Sequence, residues 1–348
     1  MHLLMIYCIF LLTYKLLTFC ELSLGYIDFF LKGAYIISNR SPRTSQRCVP
    51  GDTFYLQRKI IMILKQPTTF AQQVQLLQDK NIMIDDLSAC QKFLEKVNYY
   101  RFSAYFLPFY NPNTQKCFDN ITFTRLKHIY SFDQKLRSLI FSMIEDIEIH
   151  IRTQTAYYLS HKYGALGYMS QKTYNSRHDH NSFMNRIADC IKENNKTPVV
   201  KHHIKKYNGQ FPLWVIIEFF SVGMLSHFYR SLKTPDKKKI AIALYNTSYF
   251  NLESWLRCLT DLRNKCAHYS RLYYWIFPAT PKMPKGEKYT PTRRLFAQLY
   301  MLKYMYPDTE KWNDFYLKSL IKFIQEYKPY ISLKHLDFPY KWKSMLKK

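Results

Sequence analysis

TRLKHIYSFDQKLRSLIFSMIEDIEIHIRTQTAYYLSHKY, residues 124–163, is the longest regular stretch of the chain and decides its fold class. Leu126, Ile129, Phe132, Leu136, Leu139, Ile140, Met143, Ile147 and Ile151 recur mostly at three- and four-residue intervals, the periodicity of one helical face. Gly164 supplies the stop. Upstream, Thr68 and Thr69 precede a short helical pattern with Val74 and Leu77 on one stripe, and Asp85-Asp86 caps a second that runs through Phe93, Leu94 and Val97. Asn98-Tyr99-Tyr100-Arg101 follows, and Pro108 with Asn111-Pro112-Asn113 marks a loop. Downstream, Pro212 opens a nearly all-apolar helix through Phe220, destined for the core. Glu218 is its exception and is expected to meet a buried cation or polar group. Pro235-Asp236 opens a helix through Leu244, and Asn251 caps another carrying Leu252, Trp255, Leu256, Leu259 and Leu262. A Pro/Lys-rich linker beyond Pro278 leads to an amphipathic pair around Leu295–Tyr304 and Phe315–Tyr327. Strand-like alternation is scarce, so the chain reads as all-α, packed around residues 126–163, 213–228 and 252–273.

Composition narrows the function. The 348 residues carry 51 Lys and Arg against 25 Asp and Glu, a formal charge of +26. Such an excess favours polyanionic partners, nucleic acid first. Only 8 Gly are present, with no GxGxxG or GxxxxGK[ST] motif, which removes the common nucleotide-phosphate turns. The 8 cysteines include no CxxC pair; they read as reduced thiols of a cytoplasmic protein rather than a zinc or disulfide framework.

Residues 1–64 differ from the rest. Leu3–Cys20 is apolar but broken by Lys15, short for a membrane span and without the basic start of a signal peptide. A membrane anchor through residues 3–20, an extra helix, and translated upstream sequence with the natural start at Met62 all stay open. The last is preferred, and no stable membrane association is expected.

The chemistry concentrates in WLRCLTDLRNKCAHYSRLY, residues 255–273, where Arg263, Asn264 and His268 interrupt an apolar helix. Asn264 and His268 share a face, whereas Arg263 and His268 lie about 140° apart, within the swing of an arginine stem. The trio suits phosphodiester cleavage in RNA. Histidine moves a proton near neutrality, arginine matches the phosphate with a forked permanent charge, and asparagine orients either. No metal or other cofactor is needed, because the 2′-hydroxyl nucleophile is already in the substrate. Arg263–His268 is the single RxxxxH pair of the chain. One histidine does not readily serve as both base and acid, so two chains about a twofold axis would share a cleft.

Glu148 and Arg152, four apart, share a helical face as an ion pair or part of a groove. Arg177-His178-Asp179-His180 reads as a solvated loop rather than a metal site. Lys201, Lys205 and Lys206, in a Lys/His cluster, are either a polyanion-binding surface or a plain solvated face.

Taken together, Val97-Asn98-Tyr99-Tyr100-Arg101, Phe132-Asp133, Ile147 to Arg152, Pro212-Leu213-Trp214-Val215 with Glu218, and Leu262 to Leu272 resemble the Abi-like (AbiD/AbiF type) abortive-infection proteins of the HEPN superfamily. The resemblance covers residues 66 to about 330. It implies a HEPN-like helical bundle with additional N- and C-terminal helices: an N-terminal part over 65–123, a core over 124–277, then linker and final helices over 278–348. It further implies a phage-defence role, RNA as substrate, a homodimer, and catalytic roles for Arg263, Asn264 and His268. Glu148, Arg152 and Arg271 would support the groove, and an antitoxin or regulatory RNA could restrain the activity. The alternative is a non-catalytic module of the same type that binds RNA or protein and senses infection.

Overall fold

Thr69 and Gln72 form a reciprocal capping box, Thr69 Oγ1 accepting from the Gln72 N–H at 3.2 Å and Gln72 Oε1 from the Thr69 N–H at 2.8 Å. It starts α1 (Phe70–Asp79) in a computed structural model that describes residues 65–348. The expectations for residues 3–20 and for Met62 lie outside the described residues. Asp86 caps α2 (Leu87–Leu94) by accepting the Ala89 N–H at 2.9 Å. That helix stops short of Val97, because the chain turns and Asn98 begins a new helical turn, Tyr99–Ser103, accepting the Tyr100 N–H. Pro108 lies in a 3-10 turn, Ala104–Phe109, that feeds a small antiparallel hairpin of β1 (Tyr110–Asn111) and β2 (Lys116–Cys117), with Tyr110 opposite Cys117.

The central helix α3 (Phe123–Tyr163) is capped by Thr122 and ended by Gly164 at φ +80°, a backbone region that favours a residue without Cβ. At 1.5 Å per residue it is roughly 60 Å long. Its expected apolar stripe is buried from Leu126 to Ile151, except that Leu139 is half-buried. Asp236 fixes its far end, accepting from Tyr158 (3.1 Å), Tyr163 (2.7 Å) and Lys162.

Residues 170–210 are more ordered than their polar composition suggests. Asp179 caps α4 (His180–Glu193), and Pro198 sits in the first turn of α5 (Pro198–Tyr207). His178 is half-buried and stacks on Tyr174 with ring centroids 3.8 Å apart, so this is not the expected solvated loop. An aromatic cluster of Tyr174, Phe183 and Phe228 draws both histidines in.

The expected helix over 213–228 is broken. A turn at Leu213–Ile216 and a 3-10 turn at Ile217–Phe219 give way to α6 (Val222–Ser231), which Ser221 caps by accepting the Met224 N–H. Glu218 points to solvent, as does Trp214 four residues earlier, so the expected buried partner is not needed. Then come α7 (Thr234–Tyr245) and α8 (Tyr249–Ala267). Ser248, not Asn251, caps α8; Asn251 is buried in its first turn and donates to Thr247 Oγ1 at 3.0 Å. The helix α9 (Leu295–Met305) is buried nearly all round rather than amphipathic, because α3, α8 and the C-terminal turn Trp342–Leu346 cover it. The last long helix, α10 (Lys318–Tyr327), lays its apolar face on α3.

The core therefore centres on α3 and α8, with α6 and α7 against α8. Buried Cys90 and Cys258 are held as thiols, their pKa pushed by burial to about 11 and about 12. No described helix is long and apolar enough to cross a membrane.

Candidate active site

The C-terminal end of α8 delivers Arg263 and Asn264, and His268 is its C-cap residue, donating its N–H to the Asn264 carbonyl at 3.0 Å. The chain then reverses: Tyr269 takes φ +54°, and the Ser270 N–H returns to the Lys265 carbonyl at 2.9 Å.

A buried carboxylate fixes that reversal. Asp133 of α3 is fully buried and accepts the N–H groups of Leu272 (3.1 Å) and Tyr273 (2.7 Å), the Tyr105 hydroxyl (2.7 Å) and the Arg137 guanidinium. Burial pushes the Asp133 carboxyl up, while Arg137 and the hydrogen-bond donors pull it back. Arg137 also reaches the Ser270 carbonyl at 3.3 Å. Two further arginines tie the turn to the N-terminal segment: Arg101 donates to the Tyr269 carbonyl at 2.5 Å, and Arg271 to the Ala104 carbonyl at 2.6 Å. Arg271 is therefore a strut behind the site rather than a wall of it.

Asn264 and His268 line one open cleft of about 390 Å³, with Asp261, Lys265, Trp275 and Arg293 among its other walls. Both are exposed. The Lys265 ammonium lies 3.4 Å from the centre of the Trp275 ring. Burial, with Arg271 adding repulsion, lowers the Lys265 pKa, and burial raises that of Asp261.

Arg263 does not line this cleft. Its Nε stands 3.6 Å from Glu148 Oε1, its guanidinium 5.8 Å from the Phe141 ring, and its side chain is 34% exposed. Glu148 also pairs with Arg152 at 3.2 Å, and Arg152 donates to the Phe220 carbonyl at 2.8 Å. Burial raises the Glu148 carboxyl against the pull of the two arginines. The fold thus brings Asn264 and His268 together and sets Arg263 on the adjoining face of α8, with Glu148 and Arg152.

Lys201, Lys205 and Lys206 stand exposed on α5 and do not line the cleft. Their neighbour His203 is buried instead, stacked on Phe211 and bonded through Nδ1 to the Val199 carbonyl.

Sequence reasoning gave no role to Asp133, Arg137, Arg101 or Lys265. Two signals were legible. Asp133 and Arg137 form an i, i+4 pair of opposite charge set inside the apolar stripe between Ile129 and Ile140, where unpaired charge is costly. Arg101 belongs to one of the matching stretches, yet its partner lies 168 residues away, beyond any local spacing rule.

Residues 92–274 match the family model described as Abi-like protein. The match takes in Arg101, Asp133, Glu148, Arg263, Asn264 and His268. No curated protein and no solved structure matches the chain.

Proposed function

The chain belongs to the Abi-like family, which points to abortive infection and phage defence, and from that premise we propose that it is a metal-independent endoribonuclease of the HEPN type. The observation that carries the reading is the joint opening of Asn264 and His268 onto one cleft, at a helix end whose following turn is locked by Asp133. His268 takes the proton of the ribose 2′-hydroxyl or returns one to the leaving 5′-oxygen. The 2′-oxygen attacks the adjacent phosphorus, and the bond to the 5′-oxygen breaks. The products are a 2′,3′-cyclic phosphate and a 5′-hydroxyl. Arg263, released from Glu148 and swung on its long stem toward the cleft, stabilises the phosphate as its charge redistributes, and Asn264 orients the reacting groups.

One chain offers one such histidine, so a twofold homodimer supplies base and acid together. Exposed Phe141, on α3 with its ring 5.8 Å from the Arg263 guanidinium, gives that pairing an apolar contact close to Arg263. The exposed lysines of α5 add charge for the RNA backbone, and a restraining antitoxin or regulatory RNA fits a cytoplasmic defence toxin.

A second reading, a non-catalytic RNA- or protein-binding module, is favoured by one observation: Glu148 already holds Arg263 away from the cleft walls. Cleavage of labelled single-stranded RNA in EDTA separates the two. Cutting by the parent and not by His268→Ala, with both folded and equally dimeric, supports the nuclease. Tight RNA binding without cutting supports the module, and equal cutting by both proteins removes the assignment of His268.

A further inference from the structure

Eight non-glycine residues hold left-handed backbone angles among the described residues. Six are Asn, Asp or Gln, and Asn and Asp accept that region most readily through their short polar side chains. The remaining two are Tyr269 at φ +54° and Tyr274 at φ +57°, both within six residues after His268. A bulky side chain in that region is strained and persists only where its surroundings hold it.

The two tyrosines differ in what their rings do. Tyr274 is packed, with the Arg294 guanidinium 4.3 Å from its ring centre and the His335 ring 5.4 Å away. Tyr269 is 69% exposed and has no ring partner among the described residues. Its backbone, in contrast, is fastened on both sides: the N–H donates to the Cys266 carbonyl at 3.1 Å, and the carbonyl accepts from Arg101 at 2.5 Å. The molecule thus holds a strained residue rigidly and leaves its ring in water, beside His268.

We propose that Tyr269 is a stacking platform for the base next to the scissile phosphate, which makes unpaired RNA the substrate class of this site. The proposal rests on the ribonuclease reading, since the scissile phosphate is placed by His268. A free aromatic face takes any unpaired base, whereas the bases of a duplex are already stacked on each other. Arg101, fastened to the same residue, adds the positive charge that single-strand sites combine with aromatic platforms. Asn264 and His268 open onto the cleft and Tyr269 follows His268 directly in the chain, so a strand whose phosphate sits at His268 meets the exposed ring with its neighbouring base.

The test uses the full chain and a short 2′-O-methyl single-stranded RNA carrying 2-aminopurine, which binds without being cut. Tyr269→Asn relieves the backbone strain and removes the ring. It is expected to unfold at a temperature about 2 °C higher yet bind the RNA roughly tenfold more weakly, with loss of the 2-aminopurine quenching. Tyr269→Phe should keep both binding and quenching. Tyr340→Ala, at a C-terminal residue 99% exposed, should leave binding unchanged. A parent that cuts single-stranded RNA while Tyr269→Asn binds as tightly as the parent overturns the platform alone. A Phe variant as weak as the Asn variant overturns stacking in favour of the hydroxyl. A parent that prefers duplex RNA overturns the substrate class, and a parent that neither binds nor cuts RNA removes this inference together with the reading beneath it.

Discussion

The residues on the two sides of Tyr269 are built on opposite terms. Residues 270–273 are anchored through buried groups: the Ser270 carbonyl and the Leu272 and Tyr273 N–H groups all meet Asp133 or Arg137. Among residues 263–268, Asn264 and His268 present their side chains to solvent and Arg263 does so partly. A buried network whose members are all satisfied fixes a backbone more firmly than surface contacts do. Placing the network behind the histidine lets the reactive side chain stay open without losing its position. The comparison teaches that rigidity and access are assigned here to different residues of one turn.

The hardest blow to the anchored side is Asp133→Ala. It strands the Arg137 charge and two backbone N–H groups in the core, and it should cost about 3–5 kcal/mol in urea unfolding, with cleavage lost as well. A variant within about 1 kcal/mol of the parent would show that the turn is held by something else. On the open side, His268→Ala should lower cleavage by roughly a hundredfold or more, while stability moves by less than ~0.5 kcal/mol. A large stability loss there would erase the contrast between the two sides.

Glu148→Gln sharpens the comparison, because Glu148 belongs to the framework but touches Arg263. Burial already works against its ionised form, so the pair is a modest stabiliser and the substitution should cost about 1 kcal/mol. Cleavage should change through Arg263, read as a shift in substrate KM. An unaltered KM would place Glu148 among purely structural groups.

The smallest effect is a pH dependence on the anchored side. His335 accepts or donates at 2.7 Å to the Tyr273 hydroxyl, and burial, Arg125 and Arg294 lower its pKa below 6.5. Below that value the unfolded chain takes up a proton that the folded one resists. The stability His335 contributes is therefore complete above pH 6.5 and falls away as the pH drops beneath it. Thermal unfolding from neutral to mildly acid pH should show a decline that is shallower in His335→Gln. Equal slopes would remove His335 from the account.

Much of this molecule was legible in the chain itself. The periodicity over residues 124–163 marks α3 to within a residue, and Thr69, Asp86 and Gly164 mark helix ends. Each of these signals acts within about four residues, where helical geometry alone decides which groups can meet. The four-residue spacing of Asn264 and His268 likewise put them on one face, and both open onto one cleft.

What the chain could not decide is what each helix would pack against. Glu218 turned outward when the apolar run from Pro212 broke before Ser221, and α9 was buried all round by helices distant in sequence. Arg263 had two faces within reach, and Glu148, from a helix more than a hundred residues earlier, took its guanidinium. Asp133 acquired its role only when the turn after His268 came to rest on α3. Local spacing sets which residues share a face of one helix. Burial and ion pairing depend on the low-dielectric contacts between helices, and those exist only once the tertiary structure has formed.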